Sequence, residues 1–365
     1  MKETLKSSLL AISLLAGTII GAGVFALPYV FKSAGILTGF FYLALATIVY
    51  ICVYRMYATV IEKTPGDHRF VGYARIYLGK WTSFLTVLMA IVEMLLVLTI
   101  YLILSQSFGN LVSNFGYGTE TLIIFWLIGS AWIFLGVRRI AISELAITAG
   151  FTVIILIVLW LGLPNLVGNF SGVPLLPSRL TWFLPFAAIL FSLSGRQAIP
   201  EMFRLAPAAK IKKLIVWGTV APAVIYGLFV ISILAISPST SPDSVIGLIG
   251  HAPNWILIAI GAIGVLTILS SYSTIGLDIY ETLELDLKIP HWLRMGIVIF
   301  IPLLLYFAGL NSFIGLISLV GGVFLALEGI LIIWIWLKAT NRRISLPVAL
   351  LAFIFVMALV YEILK

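Results

Sequence analysis

The chain has 365 residues, of which 62% are hydrophobic and only 10% are charged, and its mean hydropathy is +1.18. Soluble domains carry about 25% charged residues, so this composition excludes a soluble protein and predicts an all-α protein that crosses the membrane many times. In a soluble protein, a net charge of +8 would suggest nucleic-acid binding. In this membrane protein it predicts basic loops that face an anionic membrane surface, and no nucleic-acid partner. The single cysteine excludes an internal disulfide framework, and no Cys/His cluster predicts a metal site.

Eleven apolar runs are long enough to cross a bilayer as helices, and together they predict a single membrane domain over 1–365. Eighteen of the 22 lysines and arginines then fall on the side of the N-terminus. Because basic loops stay in the cytoplasm, this asymmetry predicts a cytoplasmic N-terminus and a C-terminus outside the cell membrane. The predicted spans are 7–31, 35–60, 81–108, 120–137, 141–163, 181–205, 212–236, 254–277, 293–308, 312–337 and 344–364.

The first predicted span contains a break. Residues 17–28 read GTIIGAGVFALP, and three glycines with a proline disfavour a continuous helix. Within hydrocarbon, a broken backbone needs protein, water or a ligand to satisfy its free N–H and C=O groups. A simpler interpretation is that Gly17 and Gly21 form a close helix-packing motif. Gly23 and Pro28 extend the disruption beyond that motif, which favours a binding site.

The sixth predicted span repeats this pattern. Residues 23–28, GVFALP, and residues 195–200, GRQAIP, share the form G-x-x-A-[L/I]-P at a separation of 172 positions. Six residues are a short match in a chain rich in Gly, Ala and Leu. Their placement in the first and sixth spans nevertheless fits five spans followed by five more in inverted orientation, as in secondary transporters.

The segments at the two predicted breaks resemble the signature sequences of a known family. The first-helix segment is similar to the signature of the amino acid/auxin permease family, which includes aromatic amino acid permeases and belongs to the amino acid–polyamine–organocation superfamily. The segment from Ser194 to Glu201 is similar to the family's sixth helix. The resemblance implies a LeuT-like fold with discontinuous first and sixth helices, two repeats over about 7–163 and 181–337, and an extra helix over about 344–364. It also implies an amino acid bound between the two broken helices and cation-coupled transport.

An amino acid zwitterion needs donors for its carboxylate and acceptors for its ammonium group, and a broken helix offers both. Backbone at the first break is predicted to approach the carboxylate, and carbonyls at the sixth are predicted to face the ammonium group. The candidate substrate-binding residues are Gly17, Thr18, Gly21, Ala22, Gly23, Phe191, Ser192, Ser194, Gly195 and Arg196.

Ser270 and Ser271 in the eighth span match the place where sodium-coupled members of the fold bind Na⁺. They are therefore candidate ligands for a coupling Na⁺, although serine hydroxyls also commonly bond to their own helix. If protons couple instead, Glu93 in the third span is the candidate carrier, because charged groups inside a membrane are costly and usually functional. Tyr101 is a candidate gate over the site, with ordinary packing as the alternative.

Arg196 departs from the family pattern, because it occupies the break of the sixth helix. It is predicted either to bind a substrate carboxylate, to neutralise Glu93, or to act as a fixed cation in place of a coupling ion.

The sequence predicts a secondary active amino acid transporter that works by alternating access, with a neutral, aromatic or branched substrate and no cofactor beyond a coupling H⁺ or Na⁺. No obligatory protein partner is apparent. An acidic amino acid or a polyamine is the alternative substrate. An intramembrane enzyme is disfavoured because the spans hold no histidine and no nucleophile–base motif.

Overall fold

The computed structural model describes residues 2–113, 119–135, 137–176 and 183–364, and within these ranges every regular element is a helix. The α-helices in chain order are α1 (Lys2–Ile19), α2 (Leu27–Ala34), α3 (Ile36–Lys63), α4 (Phe70–Leu78), α5 (Lys80–Ser113), α6 (Thr119–Trp132), α7 (Val137–Gly162), α8 (Leu166–Ser171), α9 (Leu184–Ser192), α10 (Ala198–Leu205), α11 (Ala208–Ile236), α12 (Asn254–Glu281), α13 (His291–Phe307), α14 (Phe313–Leu319), α15 (Leu325–Thr340) and α16 (Leu346–Leu364).

Within the described ranges, seven helices are long and apolar enough to cross a membrane. The bent pair formed by residues 6–34 adds an eighth candidate span, and α6 and α13 are shorter apolar helices. Proline marks several helix starts, because Pro207, Pro253 and Pro290 stand directly before α11, α12 and α13. A multi-pass helical architecture is thus confirmed. The count of eleven spans and the orientation of the termini stay predictions.

The predicted break in the first span is present. Helix α1 ends at Ile19, a 3₁₀ segment covers Ala22–Ala26, and α2 follows at a bend of 44°. Gly21 adopts φ −113° and ψ −147°, outside the helical region, and Pro28 lies in the first turn of α2, where its missing N–H costs nothing.

The predicted sixth span is broken as well. Helix α9 ends at Ser192, α10 begins at Ala198, and the five residues between them are not helical. A further irregularity lies beside α9, where a π-helical segment, Val320–Phe324, joins α14 to α15. A Cβ added to Gly321 would lie 2.0 Å from the carbonyl oxygen of Ala187, so glycine lets the two backbones come close.

Helix α1 lies at the centre of the helix bundle, where it packs against α7, α10, α11 and α12. Helix α12 also packs along α5, and α3 packs against α9, α11 and α15. Because both broken segments are enclosed by continuous helices, their free backbone groups face protein and not lipid.

Candidate functional site

The two breaks are in direct contact. A Cβ added to Gly23 would lie 2.4 Å from Cα of Ser192, closer than real side chains come. The hydroxyl of Tyr226, on α11, donates to the carbonyl oxygens of both Ile19 and Ser192, the latter at 2.7 Å. One buried tyrosine therefore ties the end of α1 to the end of α9.

Two more tyrosines satisfy the backbone around the second break. The hydroxyls of Tyr50 and Tyr54, on α3, donate to the carbonyl oxygens of Leu190 at 2.7 Å and Leu193 at 2.8 Å. These carbonyls lie at the end of α9, where the helix has no further backbone N–H groups to donate to them. Tyr50 and Tyr54 were not among the predicted site residues. Their position within an apolar span is the signal that could have identified them, because a buried hydroxyl needs a hydrogen-bond partner.

Tyr101 lies inside the site. Its hydroxyl would be 2.5 Å from a Cβ added to Gly21, and it interacts with the hydroxyl of Ser271 and the backbone of Ala22. The side chain is only 3% exposed. We refer to the two breaks with Tyr101, Tyr226 and Ser271 as the broken-helix cluster.

The two serines of α12 contact different groups. The Ser271 hydroxyl donates to the carbonyl oxygen of Gly17 at 3.0 Å and lies 3.5 Å from that of Ile20. The Ser270 hydroxyl donates to Oε2 of Glu144, on α7, at 3.0 Å. The carboxyl group of Glu144 occupies the space that a side chain at Gly17 would need. Oxygen atoms from α1, α7 and α12 therefore converge at this point.

One carboxylate oxygen of Glu144 is buried without a hydrogen-bond partner among the described residues. This oxygen is Oε1, and the residue is 1% exposed. No ion pair to Glu144 is found in the part of the chain that the structure describes; the side chains of Arg138 and Arg139 lie outside that part. A buried carboxylate without a counter-charge is costly, so a proton, a bound cation or one of these two arginines would stabilise Glu144.

The side chains of some predicted substrate-binding residues bond within their own helices and not at the breaks. Thr18 donates back to the carbonyl oxygen of Leu14 at 2.7 Å, and the Ser192 hydroxyl bonds back to Ala188. Backbone groups of Ser192 and Phe191 still lie at the break, where the Phe191 carbonyl accepts from the N–H of Ser194. Gly195 packs against side chains of α1. The contribution of these residues to the site is mainly through their backbone.

Arg196 lies in the second break, but its side chain points away from the meeting of the two breaks and joins a set of ion pairs. Its Nε lies 2.7 Å from Oε2 of Glu328, and its Nη1 lies 3.3 Å from Oδ2 of Asp278. The guanidinium carbon also lies 4.8 Å from the ring centroid of Phe70. With the side chain 1% exposed, all of its charge is directed at protein groups.

Glu93 lies with Arg196 and not with the serines. It is buried beside Glu328 and Arg196. Because Glu93 precedes Tyr101 by eight residues on α5, it lies about 12 Å along the helix from the broken-helix cluster. The predicted ion-coupling residues therefore lie in two places: Ser270 and Ser271 beside the first break, and Glu93 beside Arg196 and Glu328.

A second arginine extends these ion pairs. Arg69, directly before α4, pairs with Glu201 and Glu281, and its Nη1 lies 3.8 Å from Oδ1 of Asp278. Arg204 joins Glu201 and Glu281 from the surface. Arg69 lies between two predicted spans, outside the apolar runs, so its burial could not be predicted from the sequence pattern. We refer to the following buried and partly buried residues as the arginine cluster: Arg69, Arg196, Glu93, Glu201, Asp278, Glu281 and Glu328.

Comparison with family models matches residues 6–276 to the transmembrane amino acid transporter protein family. A comparison with curated proteins finds no sequence match. Among solved structures, the chain is similar to MhsT in complex with L-phenylalanine, with a TM-score of 0.71 and 16% identity over 98% of both chains.

Two further structures share the fold. One is Mhp1, a nucleobase-cation-symport-1 family transporter, with a TM-score of 0.66 and 14% identity over 98% of this chain and 90% of that one. The other is the manganese transporter of Eremococcus coleocola, with a TM-score of 0.63 and 15% identity over 98% of this chain and 85% of that one. These neighbours are transporters of the LeuT fold. The family match over residues 6–276 confirms the resemblance read from residues 17–28, and an intramembrane enzyme is not supported. The chain belongs to the transmembrane amino acid transporter family.

Proposed function

We propose that this protein moves a neutral amino acid across the membrane by alternating access, driven by a monovalent cation, H⁺ or Na⁺. The observation that carries the proposal is the meeting of two broken helices around Gly23 and Ser192, each with backbone groups freed from helical pairing. Backbone donors and acceptors of this kind suit the two charged ends of an amino acid.

The charges around the site favour a neutral side chain in the substrate. Arg196 is held by Glu328 and Asp278, so it is not free to receive a second substrate carboxylate. An acidic amino acid would therefore have to break a buried ion pair on binding. Polyamines lack the carboxylate that the first break is suited to receive.

We assign the coupling cation to the oxygen atoms of Ser270, Ser271, Glu144 and the carbonyl of Gly17. One carboxylate balances one positive charge, which suits a monovalent cation, and hydroxyl, carbonyl and carboxylate oxygens are ligands for hard cations. Glu93 is the alternative, but it already lies within the arginine cluster. Tyr101, packed against Gly21, is the candidate gate that moves when the breaks separate.

The direct test is uptake into proteoliposomes across a panel of neutral, acidic and cationic amino acids and polyamines, with Na⁺ and pH gradients imposed separately. We expect a neutral amino acid to accumulate under one of the two gradients. Equal uptake with and without both gradients would refute coupling. Transport of a polyamine, or of acidic amino acids alone, would refute the proposed substrate class.

Replacing Glu144 with glutamine is expected to uncouple transport. The glutamine amide has the size of the glutamate carboxylate and can still accept the hydrogen bond from Ser270. It carries no charge, so it can neither take up and release a proton nor balance the charge of a bound Na⁺. We expect gradient-driven accumulation to collapse to the equilibrium level, while exchange of internal for external substrate continues. Glu120→Gln, at an exposed position on α6, is the matched control and should retain accumulation. Full accumulation in the Glu144→Gln variant would return the coupling role to Glu93.

A further inference from the structure

A groove of about 270 Å³ lies away from the transport site, between α4, the start of α5 and the π-helical segment that follows α12. Its lining includes Arg75, Lys80, Phe84, Val87 and Asp286. We call it the basic groove. It combines positive charge with an apolar wall at one end of a membrane-spanning helix.

The two cations of the basic groove have no ion-pair partner among the residues that the structure describes. These cations, Arg75 and Lys80, are both exposed. Two adjacent unpaired cations in one concave surface favour an anionic ligand.

The acidic residue of the groove is already engaged. Asp286 is 8% exposed, and its carboxylate accepts from the backbone N–H of Gly72 at 2.7 Å and lies 3.4 Å from that of Arg69. His68 approaches it at 3.8 Å. These groups satisfy the hydrogen-bonding oxygens of Asp286, and Arg75 with Lys80 outnumber its single negative charge, so the groove is net positive.

The apolar wall of the groove lies on α5, where Phe84 and Val87 follow Lys80 along the helix, and it continues along that helix. Phe84 is 64% exposed and Leu85 59% exposed, and Trp81, which is 88% exposed, stands at the start of the helix. A tryptophan at a helix end is typical of the membrane–water interface. The apolar wall therefore runs from the interface toward the hydrocarbon, and a ligand that fits both walls has an anionic head and an apolar tail.

We propose that the basic groove binds an anionic phospholipid, with its phosphate between Arg75 and Lys80 and an acyl chain along Phe84 and Val87. The predicted cytoplasmic position of this helix end agrees, because anionic lipids concentrate on that side. The site is independent of the amino acid site, so the proposal goes beyond the transport function.

The test uses the full-length protein in detergent, with thermal unfolding followed as phosphatidylglycerol or phosphatidylcholine of the same acyl chains is added. We expect phosphatidylglycerol to raise the unfolding temperature of the wild type and phosphatidylcholine to have much less effect. Arg75→Gln with Lys80→Gln should weaken the apparent affinity for phosphatidylglycerol about 30-fold, as two basic residues near a membrane surface do.

Lys210→Gln with Lys213→Gln is the matched control, because it removes two exposed charges on the same predicted side but outside the groove. Equal weakening in this control, or undiminished affinity in the groove variant, would overturn the proposal. So would equal stabilisation by inorganic phosphate, which would indicate an anion site without a lipid.

A second measurement needs no substitution. A phosphatidylglycerol with a photoreactive acyl chain should label the peptide that contains Phe84 and Val87 in the wild-type protein. Labelling confined to other helices would overturn the assignment of the acyl chain.

Discussion

Replacing Arg196 with alanine is expected to lower the free energy of unfolding by about 3–5 kcal/mol, the cost of leaving a buried ion partner uncompensated. Glu328 and Asp278 are 4% and 2% exposed, and both face the Arg196 guanidinium. Asp278 retains Arg69 at 3.8 Å, but Glu328 would be left without an ion-pair partner among the described residues. We expect a lower unfolding temperature in detergent and a smaller monodisperse fraction in size-exclusion chromatography.

Arg204→Ala is the control for this prediction. Arg204 pairs with Glu201 and Glu281, but its side chain is 41% exposed, so its loss should cost about 0–1 kcal/mol. Arg196→Met combined with Glu328→Gln should recover part of the stability, because it removes both charges together. An Arg196→Ala variant as stable as the wild type, with only its substrate selectivity changed, would show that Arg196 acts on the substrate.

Gly23→Ala is expected to abolish transport. The added Cβ would lie 2.4 Å from Cα and 2.6 Å from Oγ of Ser192, and backbone cannot move aside as the end of a flexible side chain can. The first and sixth helices must therefore separate, at a cost of about 1–3 kcal/mol for overpacking. We expect loss of amino acid uptake and of substrate binding, with a moderate fall in unfolding temperature.

Gly296→Ala, in α13, is the matched control because a Cβ there meets no atom within 4 Å. It should retain transport and gain up to about 1 kcal/mol from helix propensity. Wild-type uptake in the Gly23→Ala variant would mean that the contact between the two breaks is not part of the transport site.

The structure distinguishes two kinds of polar burial in one bundle. In the broken-helix cluster, tyrosine hydroxyls satisfy the freed carbonyls, as Tyr226 does for Ile19 and Ser192. Such neutral bonds contribute only about 0.5–1.5 kcal/mol each, so a substrate that competes for them displaces little stability. The arginine cluster pairs full charges, which are far more costly to separate. Ligand exchange is therefore expected at the first cluster and structural support at the second.

The sequence by itself determined the features that depend on one helix at a time. Apolar runs determined where the helices lie, and the glycines and Pro28 determined where the first one breaks, because glycine and proline act on the local backbone whatever surrounds it. The likeness between residues 23–28 and 195–200 also located the break of the sixth helix. Family membership followed from the same residues.

Only the tertiary structure decided which side chains meet. The sequence of an apolar span says little about how the helix is rotated about its own axis. Thr18 and Ser271 were therefore equal candidates to face the site. In the structure, Ser271 bonds to another helix, whereas Thr18 bonds to its own. Glu328, one of the two ion partners of Arg196, is 132 residues away from it in the chain, and Ser270 is 126 residues away from Glu144. Charges buried in a membrane must find partners, but packing alone determines which partners lie within reach.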